Sequence, residues 1–144
     1  MTSAALPDSY SFTTGDAGSH TFSVTLGTAG TQPVRVTDGS LNASANVSVS
    51  AGAAASLSLT APASASAGGA FNVTVTLRDA SGNVATGYTG TVSFSSDDTR
   101  ATLPGSYTFT AGDAGAHTFS VTLGTAGTQP VRVTDGTLNA SANV

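Results

Sequence analysis

One long stretch of the sequence occurs twice. Residues 6–47 recur as residues 103–144 with an offset of 97 residues, and the segment from His20 to Gly39 is identical to the segment from His117 to Gly136. The two copies differ only by exchanges between small or polar residues: Asp8/Gly105, Ser11/Thr108, Thr14/Ala111, Ser19/Ala116 and Ser40/Thr137. A period of this length lies within the usual range of domain sizes and is typical of a tandem repeat. The chain is therefore expected to fold as part of an array of near-identical modules.

Only part of the module is present twice. The segment 53–97, here called the front half, occurs once, whereas the back half occurs as residues 1–47 and again as residues 103–144. We interpret residues 53–144 as one complete repeat and residues 1–47 as the C-terminal half of a preceding repeat, with about four strands. Residues 48–52 are then the linker between them.

The composition favours strands over helices. Charged residues make up 8% of the chain, every basic residue is Arg, every acid is Asp, and neither Lys nor Glu occurs. Lys and Glu are good helix formers, whereas the Thr and Val that remain favour strands. A hydrophobic content of 39% is too high for a simple disordered chain. We therefore expect an all-β fold.

Charge and cysteine content exclude several classes of function. A net charge of −4 with four scattered arginines offers no basic stripe for a phosphate backbone, so we expect no nucleic-acid partner. No apolar run reaches membrane-spanning length, so we expect no membrane insertion. The absence of cysteine excludes thiol nucleophiles and zinc-thiolate sites. Residues 1–6 lack the pattern of a secretion signal, which we expect to lie outside this sequence.

Seven candidate strands follow one another in the complete repeat. The clearest is Phe71 to Arg78, in which apolar and polar residues alternate strictly, as in a strand with one buried face. The other six candidates are segments 57–60, 92–94, 107–109, 117–123, 131–133 and 138–144. Pro130 cannot donate a ladder hydrogen bond, so we place it at a strand entrance. Short strands at this spacing, without helical periodicity, predict a seven-stranded immunoglobulin-like β-sandwich.

Three runs of the sequence carry a resemblance to a known class of repeat. They are Gly82 to Phe94, Leu103 to Phe109 and Ala114 to Leu123. Together they resemble the bacterial immunoglobulin-like tandem repeats of large surface and secreted proteins, in the invasin- and filamin-like class of sandwiches. The resemblance implies an extracellular or cell-surface location and a role as stalk, spacer, fibre subunit or binding module. It brings no shared catalytic residues.

The incomplete repeat at residues 1–47 has three interpretations. Its apolar residues, such as Phe22 and Val24, would be exposed without a front half, so a second copy could cover them in a dimer or along a fibre. Alternatively the boundary ignores the fold and the segment is weakly ordered. A third possibility pairs the front half with residues 1–47 in a circularly permuted sandwich. The connection from Ser48 to Ala55 would then have to run back along the domain, and its eight residues span at most about 28 Å, so we favour residues 53–144 as the intact module.

Candidate chemistry is sparse. His20 and His117 are the same position in the two copies, at a strand entrance, and a structural role is favoured over a metal or catalytic one. We identify no catalytic or cofactor-binding residues and expect no enzymatic activity. Asp79, Asp97 and Asp98 are candidate calcium ligands, because calcium takes oxygen ligands, and Asp16 and Asp113 occupy equivalent turns. The alternative interpretation, solvated turn aspartates, is favoured.

Tyr88 is the candidate ligand-binding residue. It lies in a loop between Gly87 and Gly90, and an exposed aromatic ring there could bind a glycan. The preferred function is nevertheless a non-catalytic stalk, spacer or self-assembling fibre segment of a large bacterial surface protein. Its expected partners are neighbouring repeats and a second copy bound through residues 1–47. The alternative is an adhesive module that recognises glycan or protein through its loops.

Overall fold

The computed structural model describes residues 4–144 and is built almost entirely of antiparallel strands. The chain divides into two compact units, Met1–Ser50 and Ala51–Val144. Two single turns of 3-10 helix, Thr14–Asp16 and Ala111–Asp113, are the helical elements in the described part of the chain. None of its helices is long and apolar enough to cross a membrane.

The unit Ala51–Val144 is the complete module, and it is a seven-stranded sandwich. Its strands are β3 (Ser56–Thr60), β4 (Ala70–Arg78), β5 (Thr91–Ser96), β6 (Tyr107–Thr108), β7 (Ala116–Thr122), β8 (Pro130–Thr134) and β9 (Asn139–Asn143). One sheet has the order β3-β4-β7 and the other the order β6-β5-β8-β9. The predicted immunoglobulin-like fold class is confirmed. The front half pairs with residues 103–144, through β4 with β7 and β5 with β8.

Alternation along the strands builds the core of this module. In β4 the inward residues Val73, Val75 and Leu77 are fully buried, while the residues between them are not. Twelve buried apolar residues from both sheets pack into one cluster. Each buried valine or leucine contributes about 1.5–3 kcal/mol to folding. Pro130 is the first residue of β8, as predicted.

The unit Met1–Ser50 contains a two-stranded sheet. Its strands are β1 (Gly30–Thr37) and β2 (Asn42–Val49), which pair in the same register as β8 and β9: Val34 lies opposite Ala45 as Val131 lies opposite Ala142. About four strands were predicted for this segment, and two form among its described residues. Residues 19–25, the counterpart of β7, make one isolated bridge, from Thr25 to Ala5, within the part of the chain that the structure describes.

The proline of the first copy also differs from expectation. Pro33 is the fourth residue of β1 and not its first, because β1 begins at Gly30. It is tolerated there because, among residues 4–144, β1 pairs with β2 alone and its other edge carries no ladder.

Candidate functional site

A cluster of Tyr107, Asp113 and His117 is the densest group of chemically active side chains in the complete module. The Tyr107 hydroxyl donates to Asp113 Oδ2 at 2.9 Å, and His117 Nδ1 lies 2.8 Å from Asp113 Oδ1. The Tyr107 and His117 rings stack with centroids 4.2 Å apart. Phe109 and Phe119 pack edge-on against these rings and join the cluster to the core.

A tight turn places Asp113 at the centre of this cluster. Asp113 ends the 3-10 turn, where its Oδ2 accepts the Thr110 backbone N–H at 2.9 Å. The following residue, Ala114, adopts the left-handed conformation (φ 52°), which turns the chain back into β7. The Thr110 backbone hydrogen bond, together with those from Tyr107 and His117, lowers the pKa of Asp113 to about 2.

The N-terminal unit repeats this cluster with Tyr10, Asp16 and His20. The Tyr10 and His20 rings stack at 4.1 Å, and His20 Nδ1 lies 2.9 Å from Asp16 Oδ1. Ala17 has the same left-handed conformation as Ala114. The cluster therefore forms whether or not a front half covers it, which makes it a property of the local sequence.

The geometry of the cluster suits a structural clamp. Its hydroxyl, that of Tyr107, donates to the carboxylate and not to the imidazole, so the three groups do not form the hydroxyl–imidazole–carboxylate relay of an activated nucleophile. The imidazole joins the aspartate and the two core phenylalanines, and its side chain is one-third exposed. Sequence analysis identified His117 as structural but missed its partners. The repeated spacing of Tyr, Asp and His in both copies was the available signal.

Asp79, the first candidate calcium ligand, anchors the chain where it enters the module. Its Oδ2 accepts the Gly52 backbone N–H at 2.8 Å and the Asn83 side-chain amide at 3.1 Å, while its Oδ1 accepts the backbone N–H groups of Ser81 and Asn83. The Gly52 hydrogen bond is the largest cause of its lowered pKa. Asp79 therefore closes the loop after β4, at what we call the Asp79 end of the module.

Asp98 has the same role at the opposite end of the module. Its Oδ1 accepts from the Thr125 hydroxyl at 2.7 Å and from the Arg100 backbone, and its Oδ2 accepts the Gly124 N–H at 2.8 Å. The Thr125 hydrogen bond is the largest cause that lowers the pKa of Asp98 to about 2. Gly124 follows the C-terminus of β7, which lies beside the N-terminus of β4. We call this the Asp98 end.

The three calcium candidates do not converge on one point. Asp79 and Asp98 lie at opposite ends of the nine-residue strand β4, roughly 25–30 Å apart. Asp97 forms a bidentate ion pair with Arg132, at 2.8 and 3.1 Å. Within residues 4–144 no group of three or more histidines, cysteines or acids is positioned to hold a metal ion. The structure thus assigns these carboxylates to loop closure and ion pairing.

Tyr88 lies in the loop between β4 and β5, as predicted, and its ring is partly buried against the core. Its ring packs edge-on against Phe109 with centroids 5.3 Å apart, and its hydroxyl donates to Asp135 Oδ2 at 2.8 Å. Burial and the Asp135 hydrogen bond raise the pKa of Tyr88 to about 12. A Cβ at Gly90 would meet the Tyr88 hydroxyl and ring, so a larger residue there would displace the tyrosine side chain. The ring is thus partly covered by the core, and a glycan-binding role for Tyr88 stays a prediction.

A pocket of about 310 Å³ lies at the Asp98 end of the module. Ala63 to Ala67, Leu123, residues 125–128 and Val144 line it, and none of them is titratable. The pocket therefore offers small apolar and hydroxyl surfaces and no acid–base group.

Comparison with known proteins identifies the fold. No protein-family model matches the chain, and no curated protein matches it. A glycosyl hydrolase family 2 member from Bacteroides cellulosilyticus is similar with a TM-score of 0.57 and 19% identity, over 86% of this chain and 19% of that chain. Parabacteroides merdae β-glucuronidase is similar with a TM-score of 0.53 and 14% identity, over 72% of this chain and 14% of that chain.

A surface layer protein is also among the similar structures. Domains 1–6 of the surface layer protein SbsC match with a TM-score of 0.49 and 26% identity, over 85% of this chain and 17% of that chain. The present chain spans less than a fifth of the length of each of these three proteins. At these identities the likeness to the two enzymes shows the fold alone, which is an immunoglobulin-like β-sandwich.

Proposed function

We propose that the chain is a non-catalytic structural repeat, acting as an extracellular stalk, spacer or self-assembling fibre segment of a large bacterial surface protein. The observation that carries this proposal is that the chain enters and leaves the complete module at opposite ends. The chain enters at the Asp79 end, where Gly52 is bonded to Asp79. It leaves at the Asp98 end, where Val144 lies beside Leu123 and residues 63–67.

Opposite ends are what a spacer needs. A module that the chain enters at one end and leaves at the other adds its own length, about 30 Å for strands of this size, to an array with every repeat. The recurrence of the back half after 97 residues is what such an array of repeats would show in its sequence. The expected partners are neighbouring repeats of the same protein and, through the N-terminal unit, a second copy.

The roles of the polar side chains support a structural function. Asp79 and Asp98 close loops at the two ends, Asp113 holds the Tyr107–His117 clamp, and Asp97 pairs with Arg132. Each of these aspartates is engaged in holding the backbone or another side chain of the module, as expected of groups selected for stability.

Force spectroscopy on the full chain tests the spacer role. Pulling between the termini is expected to give one main unfolding event for the complete module, with a length gain of about 300 Å for a chain segment of this size. A specific signal on a glycan array would instead support an adhesive module. Loss of structure without a resolvable force peak, or glycan binding by the full chain, would overturn the spacer proposal.

A further inference from the structure

The pocket at the Asp98 end lies beside the last pairing position of the hairpin formed by β8 and β9. Gln129 and Val144 exchange both backbone hydrogen bonds there, each at 2.9 Å. Val144 also lines the pocket, together with the buried Leu123 and the exposed loop 63–67 between β3 and β4. The Gly68 N–H fixes this loop by donating to the Leu123 carbonyl at 2.7 Å. The end of the hairpin therefore forms one wall of an open, largely apolar pocket.

The hairpin of the first copy is longer by two pairing positions. There β2 continues for two residues past Val47, which is the twin of Val144. It ends with Val49 opposite Gly30. The twin of Gly30 is Gly127, which lines the pocket. The longer hairpin thus shows which residue lies opposite this glycine when the strand continues: it is Val49.

Gly127 already has the backbone conformation that such a continuation needs. Its φ is 110°, and that of Gly30 is 111°. Among residues 4–144, no backbone hydrogen bond engages Gly127, and a Cβ on it would meet nothing within 4 Å. Hydrogen-bonded pairs recur at every second position of an antiparallel ladder. After Gln129 and Val144, the next such pair is therefore Gly127 with the residue two places beyond Val144.

Alternation decides where the side chain of that added residue points. Ala140, Ala142 and Val144 are partly buried and alternate with exposed residues. A residue two places beyond Val144 shares their face, which is turned towards the pocket beside Leu123. Gly127 has no side chain to fill the space opposite. An apolar side chain is favoured at this position, because it would cover apolar surface that is otherwise in water.

We propose that this pocket is the docking site for the linker that follows a repeat, and that it binds the side chain of the counterpart of Val49. The inference rests on the proposed role as a repeat in an array, in which residues with the sequence of 48–52 follow Val144 as they follow Val47. The linker enters as a continuation of β9, paired with Gly127.

Docking of the valine leaves a short free junction between repeats. Gly52 is held by the Asp79 carboxylate of its own repeat, at 2.8 Å. Only the counterparts of Ser50 and Ala51 then lie between the docked valine and the next glycine that an Asp79 holds. A junction with two free residues limits bending between repeats, as a spacer requires.

A C-terminal extension of the full chain tests the docking site. One variant carries Ser-Val-Ser-Ala-Gly after Val144, as these residues stand at positions 48–52. The matched control carries Ser-Asp-Ser-Ala-Gly, which extends the chain equally but brings a charge to the pocket. We expect the valine extension to raise the melting temperature of the complete module by about 4–8 °C relative to the control.

Two further measurements locate the extension. Exchange of the Gly127 amide hydrogen should slow by about tenfold with the valine extension, because the amide then donates to the added valine carbonyl. Ala65→Asp, on the exposed wall of the pocket, should remove the gain in melting temperature. The same substitution in the chain without an extension is the control for its own effect on stability.

Four outcomes would overturn the proposal. They are equal melting temperatures for the valine and aspartate extensions, unchanged exchange at Gly127, a gain that survives Ala65→Asp, and a gain that grows with protein concentration. The last would place the extension in the pocket of another copy. The force and glycan measurements use the chain without an extension, so the docking site can fail while the spacer role stands, and the reverse.

Discussion

The two back halves have nearly the same sequence but differ in how much of their structure forms. Both build the same hairpin, in the same register, and the same Tyr–Asp–His cluster. Only the second copy forms the strand Ala116–Thr122, and only there is the apolar face buried. The difference separates structure that is encoded locally from structure that needs the front half as a partner.

Replacing Phe109, a buried phenylalanine of the second copy, should give the largest difference between the two copies. Phe109 is 1% exposed and Phe12, its twin, is 56% exposed. We expect Phe109→Ala to lower the free energy of unfolding of the complete module by about 3–5 kcal/mol, because it leaves a cavity. Phe12→Ala is expected to change it by less than about 0.5 kcal/mol. Urea unfolding followed by circular dichroism measures both, and similar losses would contradict the assignment.

A pair of twin glycines isolates the contribution of close packing. Gly115 and Gly18 both have positive φ, 82° and 86°, so alanine at either position costs about 1–2 kcal/mol in backbone strain. A Cβ at Gly115 would also lie 2.7 Å from the Ala85 carbonyl oxygen, whereas one at Gly18 meets nothing within 4 Å. We expect the melting temperature to fall further for Gly115→Ala, and equal shifts would show that the contact with Ala85 has no effect.

Acid should unfold the complete module over a defined range. Asp98 and Asp113 have their pKa lowered to about 2, below the ordinary 3.8, so their ionised forms stabilise the folded state. This stabilisation is fully present above about pH 4 and is lost as the pH falls towards 2. Asp98 has no twin in the first copy. Replacing it in the variant Asp98→Asn should make the free energy of unfolding less dependent on pH in this range. Urea midpoints at pH 2, 3, 4 and 6 measure the effect, and an unchanged slope would argue against it.

The smallest expected effect concerns the twin turn aspartates Asp135 and Asp38. Each accepts backbone N–H groups of its own hairpin turn, but only Asp135 also accepts the Tyr88 hydroxyl. Burial is the largest cause of the raised Tyr88 pKa and the Asp135 hydrogen bond is the next, so Asp135→Asn should lower this pKa from about 12 by part of its shift, whereas Asp38→Asn should leave it unchanged.

Stability changes with pH in the opposite direction for Tyr88 and for the aspartates. Its raised pKa stabilises the folded state below pH 10, and this contribution is lost as the pH rises towards 12. Titration of ring-labelled tyrosine by nuclear magnetic resonance follows the group directly. An unchanged Tyr88 pKa in the Asp135→Asn variant would mean that the hydrogen bond to Asp135 does not contribute to it.

Sequence reasoning located the strands of the complete module because alternation is strong there, as in Phe71 to Arg78. The strand prediction failed where an alternating segment has no neighbouring strand to pair with. Residues 19–25 alternate as well as residues 116–122, but a strand forms only where another strand supplies hydrogen bonds. The contacts of Tyr88 were missed for a related reason: nothing in its own loop indicates that Asp135 and Phe109 come within reach.

The sequence alone determined the hairpins and the clamps. Asp38 and Asp135 each cap a turn whose glycine takes φ near 100°, and that local chemistry fixes the register in both copies. Tertiary structure decided which alternating segments became strands, which aspartates closed the ends of the module and where Tyr88 lies. These features depend on residues far apart in the chain, because a ladder or a buried face exists only when a second surface is present to complete it.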